Sequence, residues 1–188
     1  MTGSPGRFYL VETKLGWIGL VLSPQGLRAT TLPRAGRDVA LREVAEMGAT
    51  EPASDAGAVA AARLVRDLAE GRPADLAALI DWDGLSANGR SVTGFRRDVM
   101  EEALRIPAGE TRSYGWLAER VGRPRAARAV GRVMATNPLP IVVPCHRVIG
   151  SDGSLRGYGA GLHVKEALLR AEGRGVRGSS EPGHEAAL

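Results

Sequence analysis

The chain has 188 residues, 44% hydrophobic and 24% charged, with a formal net charge of +4 and a pI near 9.8. That balance excludes a disordered chain and leaves room for a buried core in one domain or two small ones. No run approaches the roughly 18 apolar residues of a membrane-spanning helix. The stretch from Met1 to Arg7 lacks the apolar centre of a secretory signal, and the single cysteine, Cys145, excludes an internal disulfide, so a cytoplasmic setting and no membrane partner are expected.

Residues 7–32 read as a β-meander. Arg7 to Thr13, Trp17 to Leu22 and Leu27 to Leu32 are rich in β-forming residues, and Leu15-Gly16 and Ser23-Pro24-Gln25-Gly26 supply the turns. Arg34 to Glu51 reads as a short helix or loop. Ala53 to Glu70 is a helix capped by Ser54 or Asp55 and ended by Gly71 and Pro73; it is expected to cover one face of the meander. Gly84 to Gly94 is polar and glycine-bearing and reads as a linker, which places a domain boundary near residue 90.

The second half is helical. Thr93 can cap a helix from Gly94 to about Arg105, and Ser113 one from Ser113 to Val121. Gly122-Arg123-Pro124 turns the chain into a third helix, Arg125 to Ala135, which makes a helix-turn-helix. Gly161 to Glu172 forms the last helix. The tail, residues 176–188, is expected to be disordered. The predicted fold is α+β: a small antiparallel sheet with a covering helix over residues 1–90, then a helix-turn-helix domain over residues 91–175.

Between Arg90 and Arg132 there are ten arginines and five acids, a balance suited to a phosphate backbone; arginine-rich composition alone is the competing explanation. In Arg125-Ala126-Ala127-Arg128-Ala129-Val130-Gly131-Arg132 the residues between arginines are nearly all small. Such a helix approaches a narrow groove closely, whereas a major-groove reader presents long polar side chains. A plain alanine-rich helix in a bundle is the ordinary alternative. Asn137 to Ile149, Asn-Pro-Leu-Pro-Ile-Val-Val-Pro-Cys-His-Arg-Val-Ile, places the only thiol beside an imidazole after a buried, strand-like run at Ile141 to Val143, and a rigid extended segment is expected there. A lone cysteine beside an apolar run is more often a small buried hydrophobe.

Pro144-Cys145-His146-Arg147-Val148-Ile149, led in by Asn137-Pro138, resembles the active-site signature of the O6-alkylguanine-DNA alkyltransferases, and the resemblance runs from about Phe95 to Gly173. Ser113-Tyr114 followed by Ala126-Ala127-Arg128-Ala129-Val130-Gly131 resembles that family's DNA-binding element. The resemblance implies direct repair by irreversible, single-use transfer of an alkyl group from guanine O6 to Cys145, without a cofactor. It implies that His146 takes the thiol proton through a water and Glu172 orients the imidazole, while Asn137 pins the preceding loop. Arg128 would fill the hole left by a flipped base and Tyr114 would crowd the 3′ phosphate. Ser113, Ala126, Ala127, Ala129 and Gly131 would line the DNA contact.

Met134 and Pro140 would wall the alkyl pocket, although core packing explains Met134 equally. The carbonyls near Cys145 and Val148 and the amides near Tyr158 and Gly159 would read the base. Lys165 would lie near the thiol or, alternatively, on a helix surface. An RNase H-like first domain and a winged-helix-like second domain are further implications. The implied partner is double-stranded DNA carrying O6-alkylguanine, held through the minor groove without sequence preference by a protein monomeric in solution, with clustering on DNA left open. Residues 1–90 contain no Cys or His, so the zinc site of some animal members cannot form and no metal is expected. Two rivals remain: a relative that binds lesions without transfer, which would lack Cys145, and a cysteine hydrolase, which would need an oxyanion hole that nothing in the sequence marks.

Overall fold

The computed structural model describes residues 6–75 and 77–173; the expected disordered tail lies outside them. Three antiparallel strands, β1 (Gly6–Thr13), β2 (Gly16–Ser23) and β3 (Gly26–Thr30), fall where the meander was expected. The sheet is not purely antiparallel. β4 (Ala49–Pro52) adds to the far edge of β1 in parallel, giving the order β3-β2-β1-β4. A parallel neighbour needs a crossover helix, and α1 (Arg37–Glu46) supplies it, so the stretch read as short helix or loop is helix followed by strand.

Side chains alternate across the strands, and this sheet is covered on both faces rather than one. Phe8, Leu10, Val21 and Ala29 meet Val44 and Leu41 of α1. Ile18, Leu20, Leu22 and Leu27 face the main core, which α2 (Ala56–Ala69) joins through Ala58, Ala61, Ala62 and Val65. Asp55 caps α2 by accepting from Ala58 N at 3.1 Å. Gly19 weakens β2 by propensity, but α1 requires it there: a Cβ would lie 2.4 Å from Val44 Cγ1.

The expected linker is partly ordered. β5 (Ser86–Ala87) and β6 (Arg90–Ser91) form a hairpin turned by Asn88 and Gly89, both at positive φ. Asn-Gly with two left-handed residues matches the twist of a two-residue hairpin. The helices α3 (Phe95–Leu104), α4 (Tyr114–Arg120), α5 (Ala127–Ala135) and α6 (Leu162–Ala171) follow. Gly94, not Thr93, occupies the cap of α3 and makes no side-chain bond, whereas Ser113 caps α4 through Trp116 N at 3.0 Å. β7 (Arg112–Ser113) pairs in parallel with β8 (Val148–Ile149). The main apolar core is continuous from β1 and α2 through α3, α4 and α5 to Leu168, so the two halves share one interior.

Candidate active site

The expected extended segment before Cys145 is a tight turn. Val143 N donates to Leu139 O at 2.8 Å, and Ile141 sits at φ 76. Pro138, Pro140 and Pro144 have no N–H to give a sheet ladder, so an apolar run of strand-like composition is buried without a strand. Asn137 brackets the turn: its Nδ2 donates to Val143 O at 2.9 Å and its Oδ1 accepts from Leu139 N at 2.9 Å. A 3-10 turn, Cys145–Arg147, then carries thiol, imidazole and guanidinium in succession.

Cys145 is 6% exposed, and its thiol donates toward the Tyr158 hydroxyl at 3.9 Å. His146 Nε2 lies 3.0 Å from Glu172 Oε1, while its Nδ1 is buried with no hydrogen-bond partner among the described residues. Glu172 follows α6, with a side chain 2% exposed. It also accepts from Arg147 Nε and Nη2, the latter at 2.7 Å, and from Gly109 N at 3.2 Å. Arg147 Nη1 donates to Ile106 O at 2.6 Å. Arg147 is therefore a member of the site that the sequence did not single out as one.

Burial would push the Glu172 carboxyl up, but the bonds from His146 and Arg147 outweigh it and hold it at about 2. Burial pushes His146 below its ordinary value, partly offset by Glu172, so the resting imidazole is neutral with its proton on Nε2. Burial likewise pushes the Cys145 thiol up, against smaller opposing effects of Asn137, Tyr158 and Lys165. The thiol rests protonated and requires a base. Lys165 is not a surface lysine. It is 1% exposed, donates from Nζ to Val148 O at 2.7 Å, and burial brings it down to about 8.

A pocket of about 340 Å³ opens at the thiol, lined by Leu32, Tyr114, Gly131, Met134, Ala135, Asn137, Pro140, Cys145, Gly157, Tyr158 and Gly159. All the expected pocket residues are among these except Val148 and Lys165, which pair with each other behind it. Leu32, just beyond β3, was not foreseen. No local pattern marks it, because only the docking of the two halves brings it there. Burial, then the neighbouring Cys145, push the Tyr114 phenol up, so it stays a donor. A wider cleft of about 800 Å³ lies on the other side of Asn137 and Pro140, and Cys145 is not among the residues that line it.

Eight of the ten arginines between Arg90 and Arg132 fall into two groups; of the other two, Arg96 donates to Thr136 Oγ1 and Arg90 lies on β6. Arg97, Arg105, Arg112 and Arg120 pair with acids. Arg123, Arg125, Arg128 and Arg132 are exposed and have no ion pair among the described residues. These four lie on the turn before α5 and on α5, beside the small residues Ala126, Ala127, Ala129 and Gly131. They place unpaired positive charge on the face that leads to Tyr114 and the pocket.

The site thus holds a buried thiol next in sequence to an imidazole that is paired with an ionised carboxylate, and exposed arginines without ion pairs among the described residues lie on and before α5. The family model described as 6-O-methylguanine DNA methyltransferase, DNA binding domain, matches residues 94–174. A methylated-DNA--protein-cysteine methyltransferase of Methanosarcina acetivorans is 52% identical over 81 residues, 43% of this chain and 52% of that protein. The chain spans about half the length of the curated relatives it matches.

Solved structures extend the likeness to nearly the whole chain. The O6-methylguanine methyltransferase of Mycobacterium tuberculosis is 31% identical with a TM-score of 0.68, over 90% of this chain and 94% of that one. The Mycobacterium tuberculosis OGT in complex with DNA is 32% identical with a TM-score of 0.67, over 89% and 93%. The chain belongs to the O6-methylguanine DNA methyltransferase family.

Proposed function

We propose that the chain repairs O6-alkylguanine in DNA by moving the alkyl group, once and irreversibly, onto Cys145. The observation that carries this reading is the only thiol of the protein, buried at the base of a small pocket beside an imidazole whose far nitrogen is held by Glu172. The neutral His146 presents the lone pair of Nδ1 as a base, and a water bridges it to the thiol. The proton moves to Nδ1, and the resulting imidazolium is stabilised by the adjacent carboxylate, the logic of a nucleophile-base-acid relay. The thiolate attacks the alkyl carbon in line. The S–C bond forms, the C–O6 bond breaks, and its electron pair leaves on the guanine, which receives a hydrogen bond from Tyr114. No cofactor is required, because the alkyl group arrives on the substrate.

In the same reading α5 enters the minor groove of double-stranded DNA without sequence preference. Its small residues permit close approach, Arg128 fills the gap of the flipped base, and Ser113 and Tyr114 face the backbone. The amides near Tyr158 and Gly159 and the carbonyls near Cys145 and Val148 hold the base; Val148 O keeps a second lone pair beside Lys165. Residues 1–90 and 91–175 would act as an RNase H-like and a winged-helix-like domain of a cytoplasmic monomer. Mass spectrometry after mixing with a duplex containing O6-methylguanine tests the central claim. The expected result is one methyl adduct per chain, on Cys145. Unmodified protein would indicate lesion binding alone, and repeated turnover would indicate a hydrolase.

The flipping role has its own expected outcome. Arg128→Ala should slow transfer from duplex DNA by about tenfold or more, because only stacked DNA leaves a hole to fill. Transfer from free O6-benzylguanine should hardly change. Equal losses on both substrates would assign Arg128 to the pocket or the fold instead.

A further inference from the structure

Thr30 closes β3 and is 3% exposed. Its backbone N–H donates to Pro138 O at 2.9 Å, and its hydroxyl donates to Pro140 O at 2.8 Å. A carbonyl can only accept, so the hydroxyl proton is committed to that bond. The two carbonyls flank Leu139, where the turn between Asn137 and Cys145 begins. Pro140 lines the thiol pocket, and the next residue, Ile141, holds a backbone conformation at φ 76 that a β-branched residue rarely adopts. Such a conformation persists only where its surroundings over-determine it. Asn137 holds the turn from within, and Thr30 holds it from outside.

The neighbouring Thr31 makes a useful contrast. It is 2% exposed, but its hydroxyl accepts from Gly19 N at 2.9 Å, inside the sheet. Of these two buried threonines, Thr30 alone directs its hydroxyl to the active-site turn.

We propose that Thr30 is a positioning residue of the alkyl pocket. By clamping the Pro138 and Pro140 carbonyls it fixes the Pro140 wall opposite the thiol, and so sets the size of alkyl group that reacts well. The N-terminal sheet thereby takes part in substrate discrimination, through a hydroxyl that touches neither thiol nor base. This rests on the alkyl-transfer reading above.

The test compares single-turnover transfer to Cys145, read by mass, from duplexes carrying O6-methylguanine or O6-benzylguanine. Replacing the hydroxyl with a methyl group in Thr30→Val leaves Pro140 O without its partner and frees the wall. Methyl transfer at saturating protein is expected to fall by about tenfold, as for a displaced reacting geometry. The benzyl-to-methyl rate ratio is expected to rise at least roughly threefold, because a loosened pocket discriminates less by size. Affinity for the duplex should stay at the parent value, Thr30→Ser should restore the parent ratio, and Thr31→Val should leave that ratio unchanged. Should Thr30→Val not fold, Thr30→Ala carries the same comparison. An unchanged ratio in the hydroxyl-less variant, an equal shift in Thr31→Val, or a serine variant that behaves like valine would overturn the proposal. Parent protein that accepts neither alkyl group would overturn alkyl transfer itself, and the proposal with it. A working parent with an indifferent Thr30 overturns the positioning role alone.

Discussion

Cys145→Ser is expected to abolish alkyl transfer while leaving the protein folded and bound to DNA. A serine hydroxyl ionises far less readily than a thiol and is a harder, weaker nucleophile toward an alkyl carbon. Because this is the only cysteine in the chain, no second thiol can stand in for it. The change is nearly isosteric, and the pocket offers the new hydroxyl a partner in Tyr158, so stability should change by no more than about 1–2 kcal/mol. The free arginines lie on and before α5, away from the thiol, so affinity for duplex DNA and its steep salt dependence should persist. The measurement is adduct formation by mass spectrometry beside a binding titration. Adduct at the parent rate would remove Cys145 as the acceptor.

Glu172→Gln is expected to lower both rate and stability. The carboxylate accepts from His146, Arg147 and the Gly109 amide together. A glutamine offers one oxygen, and its amide nitrogen must confront another donor. Leaving Arg147 buried without its charge partner costs roughly 3–5 kcal/mol of stability. The imidazole loses both its orientation and the charge that stabilises its protonated form, so transfer should slow ~10- to 1000-fold, or roughly 1.4–4 kcal/mol of barrier. The reactive pH of the thiol should rise, since less thiolate forms near neutrality. A rate and pH profile equal to the parent's would require another acid in the relay.

The same carboxylate shapes the acid limb of stability. The folded group titrates near 2 and its ordinary value is 4.5, so as pH falls the unfolded chain takes up the proton first. The stabilisation is complete above about pH 4.5 and is lost between there and about pH 2. His146, pushed below its ordinary value, adds a loss in the same direction that begins as pH falls through 6.5. Urea titrations across this range should show both losses in the parent and a smaller loss below about pH 4.5 in Glu172→Gln, where the remainder comes from other carboxylates held low, such as Asp81, kept so against its burial by the Ser23 and Arg28 beside it.

What could be read from the sequence divides by the range of the interaction. β1, β2, β3 and α2 were legible because their apolar spacing and turns are local. β4 was not: Ala49-Thr50-Glu51-Pro52 has no strand pattern, and its pairing with β1 depends on where α1 returns the chain. Ile141 to Val143 shows why a short apolar run cannot distinguish a strand from a buried turn. The pairing of His146 with Glu172 was expected from a resemblance, but Arg147, which also holds Glu172, was read only as one residue of the Pro144-to-Ile149 signature. Lys165 occupies a helix position that surface and core lysines share, and only Val148 O, 17 residues away, decides between them. Thr30 and Leu32 carry no local signal at all.

The hydroxyl bond from Thr30 to Pro140 joins residues 110 positions apart, which has a consequence for the order of folding. A contact that closes so large a loop is rewarded only after its entropy has been overcome. The turn before Cys145 should therefore take its strained form after the sheet has docked, and the single thiol should be sealed from solvent late. A partly folded chain would carry an exposed, unactivated thiol of ordinary acidity, and the competent nucleophile would arise only when it is already enclosed. Pulse labelling of Cys145 with a bulky thiol reagent during refolding should show protection in the slowest phase. Thr30→Val should delay that phase and leave the earlier formation of β1–β3 unchanged.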